Sequence, residues 1–267
     1  PVLNGLLILN PQRQKRPEEK KGKVRCPFCK GNENLTPKSI LAFPDEKNWQ
    51  VRVVENKFPI LPDHEVVIHS AEHISNFSDL TEKTIRFILL AYKQRIMFFK
   101  EKYDNQNLNV LVYCNQGFSA GASLEHSHSQ ILVLDSNLDP EFPPVQPVEN
   151  RVFENKYFDI YCPDYSEWPY EIWIQTKRNI FFEETDALET DELASTLKKI
   201  IYQLKKIHSS LHKLKIDFGY NWYIYPRRPW YLRIMPRFTQ WAGLELASNI
   251  KVNTIPPKEA AKCYREI

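Results

Sequence analysis

With 267 residues, 42% of them hydrophobic, the chain is long enough to bury a full core, as one large domain or as two fused small ones. Its 36 basic and 33 acidic residues leave a formal charge of only +3, which argues against a nucleic-acid partner held by bulk charge and leaves room for a local basic pocket. Five cysteines, odd in number and scattered, do not read as a disulfide framework, no apolar run reaches membrane-span length and no secretory signal precedes the first strand; a soluble, reducing, cytoplasmic setting with no membrane partner is expected.

In chain order, Leu6–Leu9 reads as a short strand ending at Asn10-Pro11. A basic segment comes next, in which Arg13 and Arg16 lie between that strand and Pro17. Most of its lysines read as a solvated loop, but a guanidinium fork suits a diphosphate better than an ammonium does. Cys26-Pro27-Phe28-Cys29 comes after it. A redox CxxC wants a helix after it, whereas Gly31, Asn32, Asn34 and Pro37 make a loop here, so half of a zinc site is the preferred reading. Two more ligands would come from His64, His69, His73, His126 and His128.

Trp49–Glu55 and Glu65–His69 alternate as strands, with Asn56 just after the first. Ser78-Asp79 is a candidate cap for a helix running to about Lys102, with Ile85, Ile88, Leu89, Tyr92, Ile96 and Phe99 on one face. Leu108–Tyr113 is a strand, and Asn115 then opens a loop of small residues, Ser119 to Ser123 with Gly121 at its centre.

Two of the seven histidines then stand two positions apart, in His126-Ser127-His128-Ser129-Gln130. On an extended strand His126, His128 and Gln130 would share a face. Two imidazoles and an amide beside a loop whose backbone a bulky anion can approach point to chemistry at phosphorus; the bland alternative is a histidine-rich edge strand.

Four prolines between Asp139 and Val148 mark a linker. Beyond it the chain repeats the pattern of its first half: Glu171–Ile174 echoes Glu65–Ile68, a helix spans about Thr190 to Leu214, and strands fall at Tyr220–Tyr225 and Trp230–Arg237. Strand, helix, strand, strand occurs twice, which indicates an internal duplication. Pro229, Tyr231 and Arg233 stand where His126, His128 and Gln130 stand in the first copy, so the second copy lacks the chemistry. Its aromatic residues, Trp222, Tyr223, Tyr225, Trp230, Tyr231 and Trp241, read as core and interface.

These motifs together resemble the galactose-1-phosphate uridylyltransferase family of the histidine-triad superfamily, over nearly the whole chain. The His-Ser-His-Ser-Gln form, with Ser127 where many bacterial members have proline, also resembles the ADP-glucose phosphorylase relatives in that family. The resemblance implies an α+β fold of tandem histidine-triad (HIT-like) repeats, an antiparallel sheet or half-barrel with helices on one face. Residues 1–138 would form the half with the metal site and nucleophile, 139–149 a Pro-rich linker, and 150–267 the half without the motif.

It further implies His128 as nucleophile and Gln130 as its phosphoryl-binding partner. Arg13, Arg16, Asn56, Asn115, Gly121 and Ser123 would hold nucleoside and phosphates, and Glu245 the sugar in a partner subunit. Cys26, Cys29, His73 and His126 would hold one structural zinc per chain. A second metal site of the family is expected to be absent, because Pro229 and Tyr231 replace its histidines. The implied activity moves a nucleoside monophosphate, UMP in the first reading, between a nucleotide sugar and a sugar 1-phosphate through a nucleotidyl-histidine, in a homodimer. The alternatives are an ADP-glucose phosphorylase using inorganic phosphate, and a nucleotide-binding module without turnover. Gln130 in place of a third histidine disfavours hydrolysis.

Overall fold

The computed structural model describes residues 8–11, 13, 25–134, 140–211 and 216–267. The strand expected at Leu6–Leu9 and the substrate arginine expected at Arg16 therefore lie outside, or largely outside, the described residues.

The first half contains strands β1 (Ser39–Phe43), β2 (Val51–Glu55) and β3 (His64–Ile68), helix α1 (Glu82–Lys102), then β4 (Val110–Gln116) and β5 (His128–Val133). The second contains β6 (Arg151–Glu154), β7 (Phe158–Tyr161), β8 (Ile172–Thr176), α2 (Ala187–Ser210), β9 (Tyr220–Ile224) and β10 (Tyr231–Pro236), then α3 (Gly243–Ser248) and α4 (Pro257–Arg265). All ten strands form one antiparallel sheet in the order β1-β2-β3-β5-β4-β9-β10-β8-β7-β6. The order within the second half repeats that of the first, and β4 meets β9 across the middle.

Three of these strands, β1, β6 and β7, are not evident from the sequence pattern. The helix starts also differ from expectation. Asn76 accepts from the Ser78 N–H and closes a separate 3-10 turn over Phe77–Asp79; Leu80 is extended, and Thr81 caps α1 through the Thr84 N–H. α2 begins earlier than Thr190 because Asp186 and Glu189 form a capping box at Ala187.

Both helices pack on one face of the sheet. Ile85, Ile88, Leu89, Tyr92, Ile96 and Phe99 of α1 are buried there, as the helical spacing predicts, with Leu193, Leu197, Ile200, Leu204 and Ile207 of α2. Each fully buried aliphatic side chain contributes about 1.5–3 kcal/mol. Val67, Val112 and Ile131 face these helices, so their strand neighbours Val66, Tyr113 and Gln130 face the other way.

That second face is covered at its two flanks. In the first half, Phe28 and the segment around it lie over Val54, Val66 and Ile68. In the second, Tyr161, Trp173 and Tyr231 form an aromatic cluster, with Trp173 stacked on Tyr231, under Val145 and Val148 of the Pro-rich segment. The Tyr231 hydroxyl donates to the Pro143 carbonyl at 2.5 Å, and that of Tyr161 to the Gln146 carbonyl at 3.2 Å. Trp222 and Trp230 are buried, whereas Trp241 is more exposed and stacks on Trp168 at 4.7 Å.

The echo between Glu65 and Glu171 is offset by one residue in space. Gln130 faces Val66 and Arg233 faces Trp173, so the residues two places earlier on those strands, His64 and Glu171, correspond. A His64–Gln130 contact in one half becomes a buried Glu171–Arg233 ion pair in the other.

Candidate active site

The histidine strand is shorter than the sequence suggests. It starts at His128, and His126 turns aside toward the cysteines. His128 and Gln130 share the face turned away from the helices, while Ser127 and Ser129 point behind the strand.

Hydrogen bonds fix the state of each group in turn. The His128 Nδ1 lies 2.8 Å from the His126 carbonyl, and a carbonyl only accepts, so Nδ1 carries the proton and Nε2 the lone pair. The Phe28 ring edge packs on the His128 imidazole at 5.2 Å between centroids.

Gln130 is oriented by the same logic. The Ile60 N–H donates to His64 Nδ1 at 2.9 Å, which leaves the His64 proton on Nε2. That proton goes to Gln130 Oε1 at 2.9 Å, where the Tyr113 hydroxyl at 3.0 Å and the Asn56 amide at 3.4 Å also donate. With its oxygen occupied, Gln130 turns the N–H end of its amide the other way, suited to phosphoryl oxygens.

Behind β5, His69 is fully buried and bonds Ser127 Oγ and Ser129 Oγ, each at 2.9 Å. Ser127 donates onward to Gln116 Oε1, so it accepts from His69 Nδ1. The Tyr92 hydroxyl lies 2.7 Å from Ser129 Oγ. Burial, aided by the nearby His128 and His126, pushes His69 well below the ordinary imidazole range, so it stays neutral. Ser127 therefore has a use that a proline would not serve.

Cys26, Cys29, His73 and His126 converge with their ligand atoms within 4.8 Å of one another. Cys26 Sγ lies 3.5 Å from His126 Nδ1, Cys29 Sγ 3.7 Å from the same atom and 3.5 Å from His73 Nδ1. Bonds of about 2.3 Å to sulfur and about 2.0 Å to nitrogen at tetrahedral angles place such atoms about 3.5 Å apart, so the residues fit a metal ion. His126 Nε2 donates to the Ser70 carbonyl at 3.0 Å and leaves Nδ1 to the metal side. Burial, with smaller effects from His73 and His128, pushes His126 down to about 4 against the opposing Ser70 bond. Burial and the adjacent Cys26 push the Cys29 thiol up to about 11, a penalty that a divalent cation would reverse. His64 and His69, also candidates by sequence, are committed elsewhere.

The other expected site residues have the following surroundings. Arg13 donates to the Phe58 carbonyl at 2.9 Å, beside the segment that starts at Asn56. Asn115 lies near the end of β4 and accepts from Asn221 at 2.7 Å. Gly121 ends a 3-10 turn over Phe118–Ala120 with φ of 80°, which a side chain would strain, and Ser123 lies between that turn and β5. Glu245, expected to reach the sugar of a partner subunit, sits in exposed α3, where its carboxylate accepts from the Ala242 N–H.

Tyr113 and Asn221 are not singled out by the sequence pattern, and His64 and His69, candidates there for the metal, instead contact Gln130 and the serines behind β5. Alternation alone signals that Tyr113 and Asn115 share a face; the partners across strands depend on register.

A family model described as "Domain of unknown function (DUF4931) N-terminal domain" matches residues 9–137. ADP-glucose phosphorylase of Arabidopsis thaliana is 30% identical, the match covering 100% of this chain and 91% of that protein. A solved structure of an Arabidopsis thaliana ADP-glucose phosphorylase with bound ADP-glucose is 29% identical with a TM-score of 0.77, over 97% of this chain and 94% of that one. Galactose-1-phosphate uridylyltransferase of Thermotoga maritima is 22% identical, over 100% of this chain and 96% of that protein. The chain thus belongs to the galactose-1-phosphate uridylyltransferase family of the histidine-triad superfamily, which includes ADP-glucose phosphorylase. Among the described residues no helix is long and apolar enough to cross a membrane.

Proposed function

We propose that the chain is a nucleotidyltransferase of the ADP-glucose phosphorylase type, with His128 as nucleophile. The observation that carries this is the His128 Nδ1–His126 carbonyl bond, which supports an Nε2 lone pair as the attacking group. Nε2 attacks the α-phosphorus of ADP-glucose; the bond from that phosphorus to the bridging oxygen breaks, and glucose 1-phosphate leaves. The ring becomes cationic, and the His126 carbonyl stabilises its Nδ1–H. An oxygen of inorganic phosphate then attacks the same phosphorus, which releases ADP and restores His128. Gln130 steadies the phosphoryl oxygens and, as a neutral amide, offers no acid for a poor leaving group.

Arg13, Asn56, Asn115, Gly121 and Ser123 are assigned to nucleoside and phosphates, with Arg16 and Glu245 kept from the family pattern. The metal ion is proposed to be zinc, a structural one that ties Cys26, Cys29, His73 and His126 together and anchors the His126 carbonyl. The boundaries at 138 and 150, a homodimer and a cytoplasmic setting remain part of this reading.

Adenine is preferred over uracil because the 30% identity to ADP-glucose phosphorylase spans the whole chain, against 22% for the uridylyltransferase. The test is intact-mass spectrometry after brief incubation with ADP-glucose or UDP-glucose. One adenylyl group, lost in His128→Ala and discharged by phosphate, is expected. A uridylyl adduct discharged by a hexose 1-phosphate would overturn the choice of donor and acceptor. Binding without any adduct would overturn catalysis.

A further inference from the structure

We propose that Asn221, carried by the half of the chain without the histidine motif, is a positioning residue for the phosphate side of the site. The proposal rests on the reading of Asn115 and the 117–123 loop as phosphate-binding. Where β4 meets β9, the antiparallel register sets Asn115 opposite Asn221, with both side chains on the face that Tyr113 and Gln130 share.

The Asn221 amide nitrogen donates twice, to Asn115 Oδ1 at 2.7 Å and to the Ala120 carbonyl at 2.9 Å. Because a carbonyl only accepts, the Ala120 bond fixes which end of the Asn221 amide points toward the loop. The Asn115 oxygen is thereby turned to Asn221, and the two Asn115 N–H donors point away from it, the polarity an anionic oxygen requires. One side chain thus sets both the Asn115 amide and the backbone of the small-residue turn.

Glycines let the two halves approach closely here. A Cβ on Gly219 would lie 2.0 Å from Ser119 Oγ, and one on Gly117 would lie 2.7 Å from the Phe218 carbonyl. The turn over Phe118–Ala120 is therefore seated on residues 218–221. The second half, without a nucleophile of its own, supplies the rail on which the phosphate loop of the first half rests.

The test uses the full chain, with single-turnover nucleotidylation of His128 measured by intact mass across donor concentrations. Asn221→Ala is expected to slow the reaction about 10- to 100-fold, in the limiting rate more than in the apparent donor affinity. Asn221→Asp keeps the volume but sets carboxylate oxygens against Asn115 Oδ1 and the Ala120 carbonyl, and should lose at least as much. If Asn221 acts through Asn115, adding Asn221→Ala to Asn115→Ala should cost much less than it does alone. Fully additive losses, or an Asn221→Asp enzyme as fast as wild type, would overturn the inference alone. A wild-type chain that takes no nucleotidyl group from any donor would overturn the reading of the site, and this inference with it.

Discussion

Replacement of His69 by alanine tests whether the polar network behind β5 holds that strand in place. The imidazole is completely buried, bonds two serine hydroxyls at 2.9 Å and packs edge-on against Phe77 at 5.3 Å. Loss of two neutral hydrogen bonds costs about 1 kcal/mol each. The void left by the ring adds a further amount, and together these reach about 3–5 kcal/mol, a large share of a total of about 5–15. Ser127 and Ser129 keep Gln116 and Tyr92 as partners, which holds the loss toward the lower figure. At roughly 2–4 °C per kcal/mol for a chain of this size, calorimetry at pH 7.5 should show Tm falling by roughly 6–15 °C.

The same side chain sets a pH dependence. His69 is held neutral in the folded protein, with its pKa below the ordinary 6.5 because of burial. Below about pH 6.5 the unfolded chain binds a proton that the folded chain refuses, so the stability contribution is full above that pH and is lost as pH falls through it. His69→Ala should therefore flatten the acid limb of Tm against pH without abolishing it. A Tm within about 2 °C of wild type, or an unchanged acid limb, would refute the reasoning.

Single contacts carry the other expectations. His64→Phe removes the 2.9 Å donor to Gln130 Oε1, worth about 1 kcal/mol, and should slow His128 nucleotidylation roughly five-fold in single-turnover measurements; an unchanged rate would mean Tyr113 and Asn56 suffice. Cys29→Ser, or exhaustive chelation, should lower both the metal content found by elemental analysis and Tm, and should slow nucleotidylation about 10-fold as the His126 carbonyl loses its anchor. A metal-free chain with unaltered Tm and rate would remove the site. His128→Gly should release no glucose 1-phosphate from ADP-glucose until imidazole is added, when an adenylyl-imidazole should form instead of a protein adduct. No rescue in a folded, donor-binding variant would count against the nucleophile.

Much of the architecture is local enough to be read from the chain. The inward faces of α1 and α2 come from helical spacing, the repeat from a pattern that occurs twice, and the shared face of His128 and Gln130 from strand alternation. The cysteine pair is equally plain, because CxxC brings two ligands together in one turn. The limits appear where a contact joins distant strands. His64, His69 and His73 stand within ten residues of one another, yet one orients Gln130, one braces Ser127 and Ser129, and one faces Cys29. Composition and spacing are blind to that division, because it depends on the antiparallel register of β3 against β5 and on where the chain turns after Ile68. The same holds for Asn221, which reaches Asn115 only because β9 closes on β4. Sequence determined which residue types were present and which shared a strand face; pairing between strands, a long-range choice made by burial of the whole sheet, decided which of them touch.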